Sequence, residues 1–274
     1  MKPVQHAANN KQGTPMSDYE FIKTERENNL FIVTINRPER MNACHPPCNF
    51  ELQAAFDEFA ADDDLWVAII TGAGDRAFSA GNDLRFQAEG GKMERPEKGF
   101  GGLTSRFDLN KPVIAAVNGV AMGGGFEIAL ACDLIIASDN ARFALPEPKV
   151  GLLAAAGGVH RLPRSIPLKQ AMGMMLTGRH VPAEEGLQLG FVNEVVPQAD
   201  LMDTAKKWAA MILECSPLSI RATKEAVYNG FSEESLERAI KTVYPGTEAM
   251  RDSEDFIEGP LAFSEKRKPN WKGR

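Results

Sequence analysis

Residues 112–137 read Pro112-Val-Ile-Ala-Ala-Val117-Asn118-Gly-Val-Ala-Met-Gly-Gly-Gly125-Phe-Glu127-Ile-Ala-Leu-Ala-Cys132-Asp-Leu-Ile-Ile-Ala137. This is the longest apolar run in the chain. Asn118, Gly119, Gly123 to Gly125, Glu127 and Asp133 interrupt it, a polar load that a membrane-spanning helix would not carry. It divides instead into a buried strand over Val113–Val117, a break at Asn118-Gly119, a buried helix from Gly124 to Cys132 and a second buried strand from Asp133 to Ala137. Strand, helix and strand with short links form a βαβ unit, and several such units make a parallel sheet.

The flanks extend the pattern. Phe21 to Thr24 and Leu30 to Asn36 alternate around Glu27-Asn28-Asn29, a hairpin signal. Pro46-Pro47 opens a helix on which Leu52, Ala55, Phe56 and Phe59 recur at helical spacing. Trp66 to Thr71 is a continuous apolar run of strand length, expected of a sheet covered on both faces. Residues 85–101 are polar and glycine-rich, and are expected to form a mobile loop placed to act as a lid. Helices are expected over Leu168–Leu176, Ala183–Leu189, Leu201–Leu213, Pro217–Tyr228 and Glu233–Val243. The division is a disordered extension over 1–16, an α/β core over 17–198 and a helical region over 199–274, with Met16 as the expected natural start.

Composition narrows the function. The 274 residues carry 31 Lys and Arg against 37 Asp and Glu, a net charge of −6, where nucleic-acid binding needs a basic face. Four cysteines, Cys44, Cys48, Cys132 and Cys215, are too few for a disulfide scaffold. Cys44-His45-Pro-Pro-Cys48 has no second ligand cluster after it, so it reads as a reduced thiol pair entering a helix, and no metal is expected. Residues 1–15 have no apolar secretory pattern, and the expected location is the cytoplasm.

Three segments suggest chemistry. Gly72-Ala-Gly74-Asp-Arg-Ala77 fits the dinucleotide fingerprint, but more loop follows where a helix should open, and Asp75 would face a pyrophosphate. Ala77-Phe-Ser79-Ala-Gly81 resembles a nucleophile elbow, yet only His160 and His180 follow it, and Arg161 and Arg164 disfavour a cationic His160. Asn118 to Glu127 is the third. Glycines admit close approach to the backbone, and the first N–H groups of a helix lack partners, so this turn can hold phosphate or the oxyanion of a polarised carbonyl. Glu127, on an apolar helix, and Glu147, in Ala144-Leu-Pro-Glu-Pro-Lys149, are carboxylates in apolar settings. Such a pair suits general acid–base work with a split protonation state.

At these residues the chain resembles the crotonase, or enoyl-CoA hydratase/isomerase, superfamily. The resemblance runs from about Tyr19 to the C-terminus through Asn36-Arg-Pro-Glu-Arg-Met-Asn-Ala43, Ala77-Phe-Ser-Ala-Gly-Asn-Asp-Leu84, Asn118 to Glu127, Pro146-Glu147 and Phe263-Ser-Glu-Lys266. It implies an α/β fold, a crotonase-like ββα spiral core with a helical C-terminal trimerisation region. It implies acyl-CoA as substrate, with coenzyme A entering as part of the substrate and no separate cofactor. The thioester oxygen would lie between the N–H groups of Asn82 and Gly124. Glu127 would activate water for attack at Cβ, and Glu147 would give the proton to Cα. Coenzyme A would meet Arg40, Met41, Ala80, Asp83, Leu84, Arg85, Phe263 and Lys266, with Arg85 where the family often has lysine. The tail from Lys266 to Arg274 is either a solvated terminus or a contact to the CoA phosphates, including those of a neighbouring subunit.

The main expectation is therefore an enoyl-CoA hydratase, assembled as a homotrimer or dimer of trimers, with no nucleic-acid or membrane partner. The alternatives keep the fold and change the reaction: Δ3,Δ2-enoyl-CoA isomerase, carnitinyl-CoA-type dehydratase or thioester hydrolase. A serine hydrolase using Ser79 and a non-catalytic CoA-binding protein stand outside that class. Leu152-Leu-Ala-Ala-Ala-Gly-Gly158 departs from the family's usual segment after the second glutamate and bears on the acyl pocket. So do Phe86, Phe100 and Phe107, and Met172, Met174 and Met175 are candidates to line a pocket or the core.

Overall fold

A computed structural model describes residues 19–274, and the extension expected over 1–16 lies outside the described residues. Strands β1 (Ile22–Glu27) and β2 (Leu30–Ile35) pair antiparallel, with Asn28 in the left-handed region at the turn. Helix α1 (Pro46–Ala61) follows. Three successive units then each lay a strand in one sheet, turn a corner, and lay a shorter strand in another. They are β3 (Val67–Gly72) with β4 (Ala77–Ser79) and helix α2 (Leu84–Ala88); β5 (Val113–Val117) with β6 (Val120–Met122) and α3 (Gly124–Ala131); and β7 (Leu134–Ser138) with β8 (Arg142–Ala144) and α4 (Gly158–Ser165). The chain continues through α5 (Leu168–Thr177), β9 (Val181–Pro182), α6 (Ala183–Leu189) and β10 (Glu194–Val196). It closes with α7 (Leu201–Leu213), α8 (Pro217–Gly230), α9 (Leu236–Lys241), α10 (Pro245–Arg251) and α11 (Glu254–Ser264).

The larger sheet has the order β1-β2-β3-β5-β7-β10 and is parallel from β2 onward; the smaller has the order β4-β6-β8-β9. Side chains alternate across a strand, so two buried faces require two apolar sets. Phe31, Val33, Ile35, Ala68, Ile70, Ala115 and Val117 face the core under α1 and α3. Leu30, Ile32, Val67, Ile69, Ile114 and Ala116 face Leu201, Ala205 and Ala209 of α7. Helix α7 therefore completes the sheet's second face, although it falls in the helical region by sequence.

The corners stack because polar groups tie one to the next. Asn118 accepts from the Gly72 N–H at 3.1 Å and donates to the carbonyls of Gly72 and Gly74 at 2.9 and 2.7 Å. A Cβ on Gly119 would lie 2.3 Å from the Arg76 carbonyl oxygen, which excludes other residues there. The smaller sheet was not expected, because its strands are two or three residues long and too short for an alternation to register. No helix among the described residues is long and apolar enough to cross a membrane.

Candidate active site

The turn after β2 is strapped to the loop after β4. Met41 and Asn42 both take left-handed backbone, at φ 54° and 53°, a conformation costly for non-glycine residues. Asn42 holds it by accepting from the Arg37 N–H at 2.9 Å and donating to the carbonyls of Ala73 and Ala77. The Ala80 N–H donates to the Met41 carbonyl at 3.0 Å. Met41 and Ala80 are thus joined, and Leu84 and Arg85 follow, exposed on the first turn of α2.

Asp83 has a structural role in this loop. Its carboxylate is buried, accepts from Arg37 at 3.0 Å and caps α2 through the Phe86 N–H at 3.1 Å. Burial pushes its carboxyl up, but the Phe86 N–H and the Arg37 guanidinium outweigh burial and hold it below its ordinary value. These bonds make the Asp83 carboxylate part of the loop's own structure. Ser79 is likewise committed: its buried Oγ donates to the Asn42 carbonyl at 2.8 Å and accepts from the Gly81 N–H at 3.1 Å. No histidine pairs with it among the described residues, so the hydrolase elbow fails. The dinucleotide reading fails as well, since Gly72–Ala77 leads into a strand. Cys44 and Cys48 are free, buried thiols at the entry to α1, as expected.

Close backbone approach builds the centre. Gly81 lies at φ 87°, and a Cβ there would be 2.5 Å from the Met122 carbonyl oxygen and 2.9 Å from the Gly124 nitrogen. A Cβ on Gly125 would be 2.1 Å from the Ser79 carbonyl oxygen. Only glycines let the loop after β4 lie against the first turn of α3. The Gly124 N–H opens that helix and has no intrahelical partner. The Asn82 N–H, flanked by Gly81 and Asp83 whose backbone groups bond to Cys44, also meets no carbonyl among the described residues. Both N–H groups stand without a carbonyl partner where the loop after β4 lies against the start of α3.

Both glutamates reach this point. Glu127 is 3% exposed, and its Oε1 accepts from the Gly158 N–H at 2.8 Å. Burial pushes its carboxyl to about 7; Glu147 adds to that, while N–H groups of Gly158 and Ala156 and the charge of Arg95 oppose it. Glu147 begins a tight turn after β8. Its Oε1 would lie 2.8 Å from a Cβ on Gly123, and its Oε2 is buried with no partner among the described residues. Burial raises its carboxyl too. Backbone N–H groups without carbonyl partners beside two carboxyls, both raised by burial, can move a proton on and off carbon beside a carbonyl.

Sequence reading placed Gly157, Gly158 and Phe100 near the acyl pocket without their contacts here, and gave Arg95 no role. Gly157 and Gly158 open α4 at Glu127, with Gly157 at φ 111°; the Gly-Gly pair before a helical pattern was the available signal. Phe100 packs on Gly124, where a Cβ would meet its ring at 2.5 Å. Arg95, from the loop before Phe100, reaches Glu127 only through its charge. Phe263 lies near the end of α11 and Lys266 just beyond it, and both are exposed. Met174 is core, and Met172 is exposed.

This fold and this site define a crotonase. The family model for enoyl-CoA hydratase/isomerase matches residues 25–274, and the chain belongs to that family. Among curated relatives, carnitinyl-CoA dehydratases from Escherichia coli (strain K12) and Shigella flexneri are each 48% identical over 264 residues, covering 93% of this chain and 99% of theirs. Among solved structures, enoyl-CoA hydratase from Mycobacterium tuberculosis H37Rv matches with a TM-score of 0.88 at 38% identity. Carnitinyl-CoA hydratase from Mycobacterium avium matches with a TM-score of 0.74 at 41% identity. Each comparison covers 93% of this chain and 99% of the other.

Proposed function

We propose that the chain is a hydro-lyase that interconverts a 3-hydroxyacyl-CoA and its 2-enoyl-CoA, and that carnitinyl-CoA is its substrate. The convergence of Glu127 and Glu147 on the Gly123–Gly124 turn carries the hydro-lyase part. The 48% identity to proteins named carnitinyl-CoA dehydratase supports the acyl group and moves the reading from a general enoyl-CoA hydratase to this member of the class.

In the dehydration direction the ionised Glu147 removes a proton from Cα. Charge moves onto the thioester oxygen between the Asn82 and Gly124 N–H groups. Glu127, about half protonated near neutral pH on a value of about 7, gives its proton to the departing Cβ hydroxyl, which leaves as water. Hydration runs the same steps backward. Loss of one oxyanion donor costs roughly 3 kcal/mol of barrier in such sites.

Arg40, Met41, Ala80, Leu84 and Arg85 would hold coenzyme A from the same chain. Phe263 and Lys266 would serve the site of a second copy in a trimer. That assignment is supported by the exposure of Phe263 and of Phe231, Leu236, Ile240 and Ile257 on and beside the C-terminal helices. The test is to supply the protein with carnitinyl-CoA and with unsubstituted 3-hydroxybutyryl-CoA and to follow formation of the enoyl thioester. A higher kcat/KM on carnitinyl-CoA is expected. The reverse preference would return the protein to the general hydratases, and turnover of neither would refute the reading.

A further inference from the structure

Helix α11 ends in a turn that a lysine does not favour. Lys266 lies at φ 55°, in the left-handed region, with its N–H donating to the Phe263 carbonyl at 3.2 Å and the next N–H, of Arg267, donating to Ala262 at 3.0 Å. Helices commonly end this way with glycine at that position. Lys266 is exposed, and its ammonium has no acceptor among the described residues. Side chains on either side of it hold the turn. Arg267 forks onto Glu258, Nη1 to Oε1 at 2.5 Å and Nη2 to Oε2 at 2.9 Å, while its Nε donates to Glu265 at 2.6 Å. Glu258 also accepts from the Asn270 N–H at 2.6 Å. One carboxylate thus gathers donors from both ends of the segment 267–270.

The fork is not needed to hold the tail down. Buried Asp255 separately accepts from the N–H groups of Lys272 and Gly273 at 2.7 and 3.1 Å, and Trp271 donates to the Glu214 carbonyl at 2.8 Å. Isolated surface ion pairs contribute little, but a bidentate fork shared with a backbone N–H fixes geometry as well as charge. We propose that Glu258 and Arg267 are positioning residues that preset Lys266 so that its ammonium projects toward the nucleotide phosphates of a bound acyl-CoA. This rests on the reading of Lys266 as a coenzyme A contact.

The test is calorimetric binding of S-butyl-CoA, an unreactive thioether, to the full chain and to Glu258→Gln, Lys266→Gly and the double variant. Glycine suits φ 55° better than lysine, so Lys266→Gly removes the charge without straining the turn. Each single variant is expected to weaken binding about fivefold, the scale of one exposed charge contact. Once Lys266 is glycine, Glu258→Gln is expected to add nothing. A Glu258→Gln effect that persists in the Lys266→Gly background, or is absent while Lys266→Gly weakens binding, overturns the positioning role and leaves the Lys266 contact standing. Unchanged binding by Lys266→Gly overturns both. No binding by the unaltered protein would refute the coenzyme A reading itself.

Discussion

Glu127 holds its proton more tightly in the fold than in an unfolded chain, about 7 against 4.5. Its contribution to stability is therefore most favourable below about pH 4.5 and is lost as the pH rises through about 7. Glu127→Gln keeps an oxygen for the Gly158 N–H and removes the buried charge. It is expected to stabilise the protein at about pH 9 by on the order of 2 kcal/mol, read as a higher Tm, with little change at about pH 4. The same titration predicts that dehydration falls as the pH climbs through about 7, because the proton donor to the leaving hydroxyl is lost. At the acid end activity falls as Glu147, itself raised by burial, takes up its proton. Ser79→Ala separates the hydrolase reading at this same scale. The hydroxyl bonds to Asn42 and Gly81 and meets the Cys44 thiol at 3.9 Å, so its loss is expected to cost about 1 kcal/mol of stability and to lower turnover by less than about tenfold. A nucleophile's loss would abolish turnover.

At the scale of the element, the oxyanion turn depends on how closely α3 meets the end of β4. Gly125→Ala would drive a Cβ to 2.1 Å from the Ser79 carbonyl, where rigid backbone stands on both sides. The expected loss is about 3 kcal/mol, in the upper range for overpacking, with a lower denaturant midpoint and reduced turnover in whatever remains folded. The triple glycine was legible because glycine weakens a helix, so three in succession at the start of an apolar one point to close backbone approach. Glu127 and Glu147 were legible because carboxylates are rare in apolar surroundings. Gly158 was harder to assign: its contribution is a backbone N–H, and its partner Glu127 lies 31 positions away. For Asp83, a motif position does not reveal that its carboxylate bonds to Arg37 and Phe86.

Across the whole molecule, the parallel sheet and its order of units could be read from Val67–Gly72, Val113–Val117 and Leu134–Ser138, whose continuous apolar runs match burial on both faces. The second sheet could not be read, because it exists only where successive corners stack. Which copy's site Phe263 and Lys266 would serve also lies beyond sequence, which places residues along the chain but not in space. The account predicts that both serve coenzyme A only in an assembly. Conditions that dissociate the protein, followed by sedimentation, should weaken S-butyl-CoA binding about as much as Lys266→Gly does. The central claim is the division of labour between two carboxylates at one oxyanion turn. It is tested most directly by the rate of enoyl-thioester formation from carnitinyl-CoA in the native protein and in Glu147→Gln. A fall of roughly 10²- to 10⁴-fold in kcat, with substrate binding retained, is the predicted result. Turnover indifferent to Glu147→Gln would contradict it.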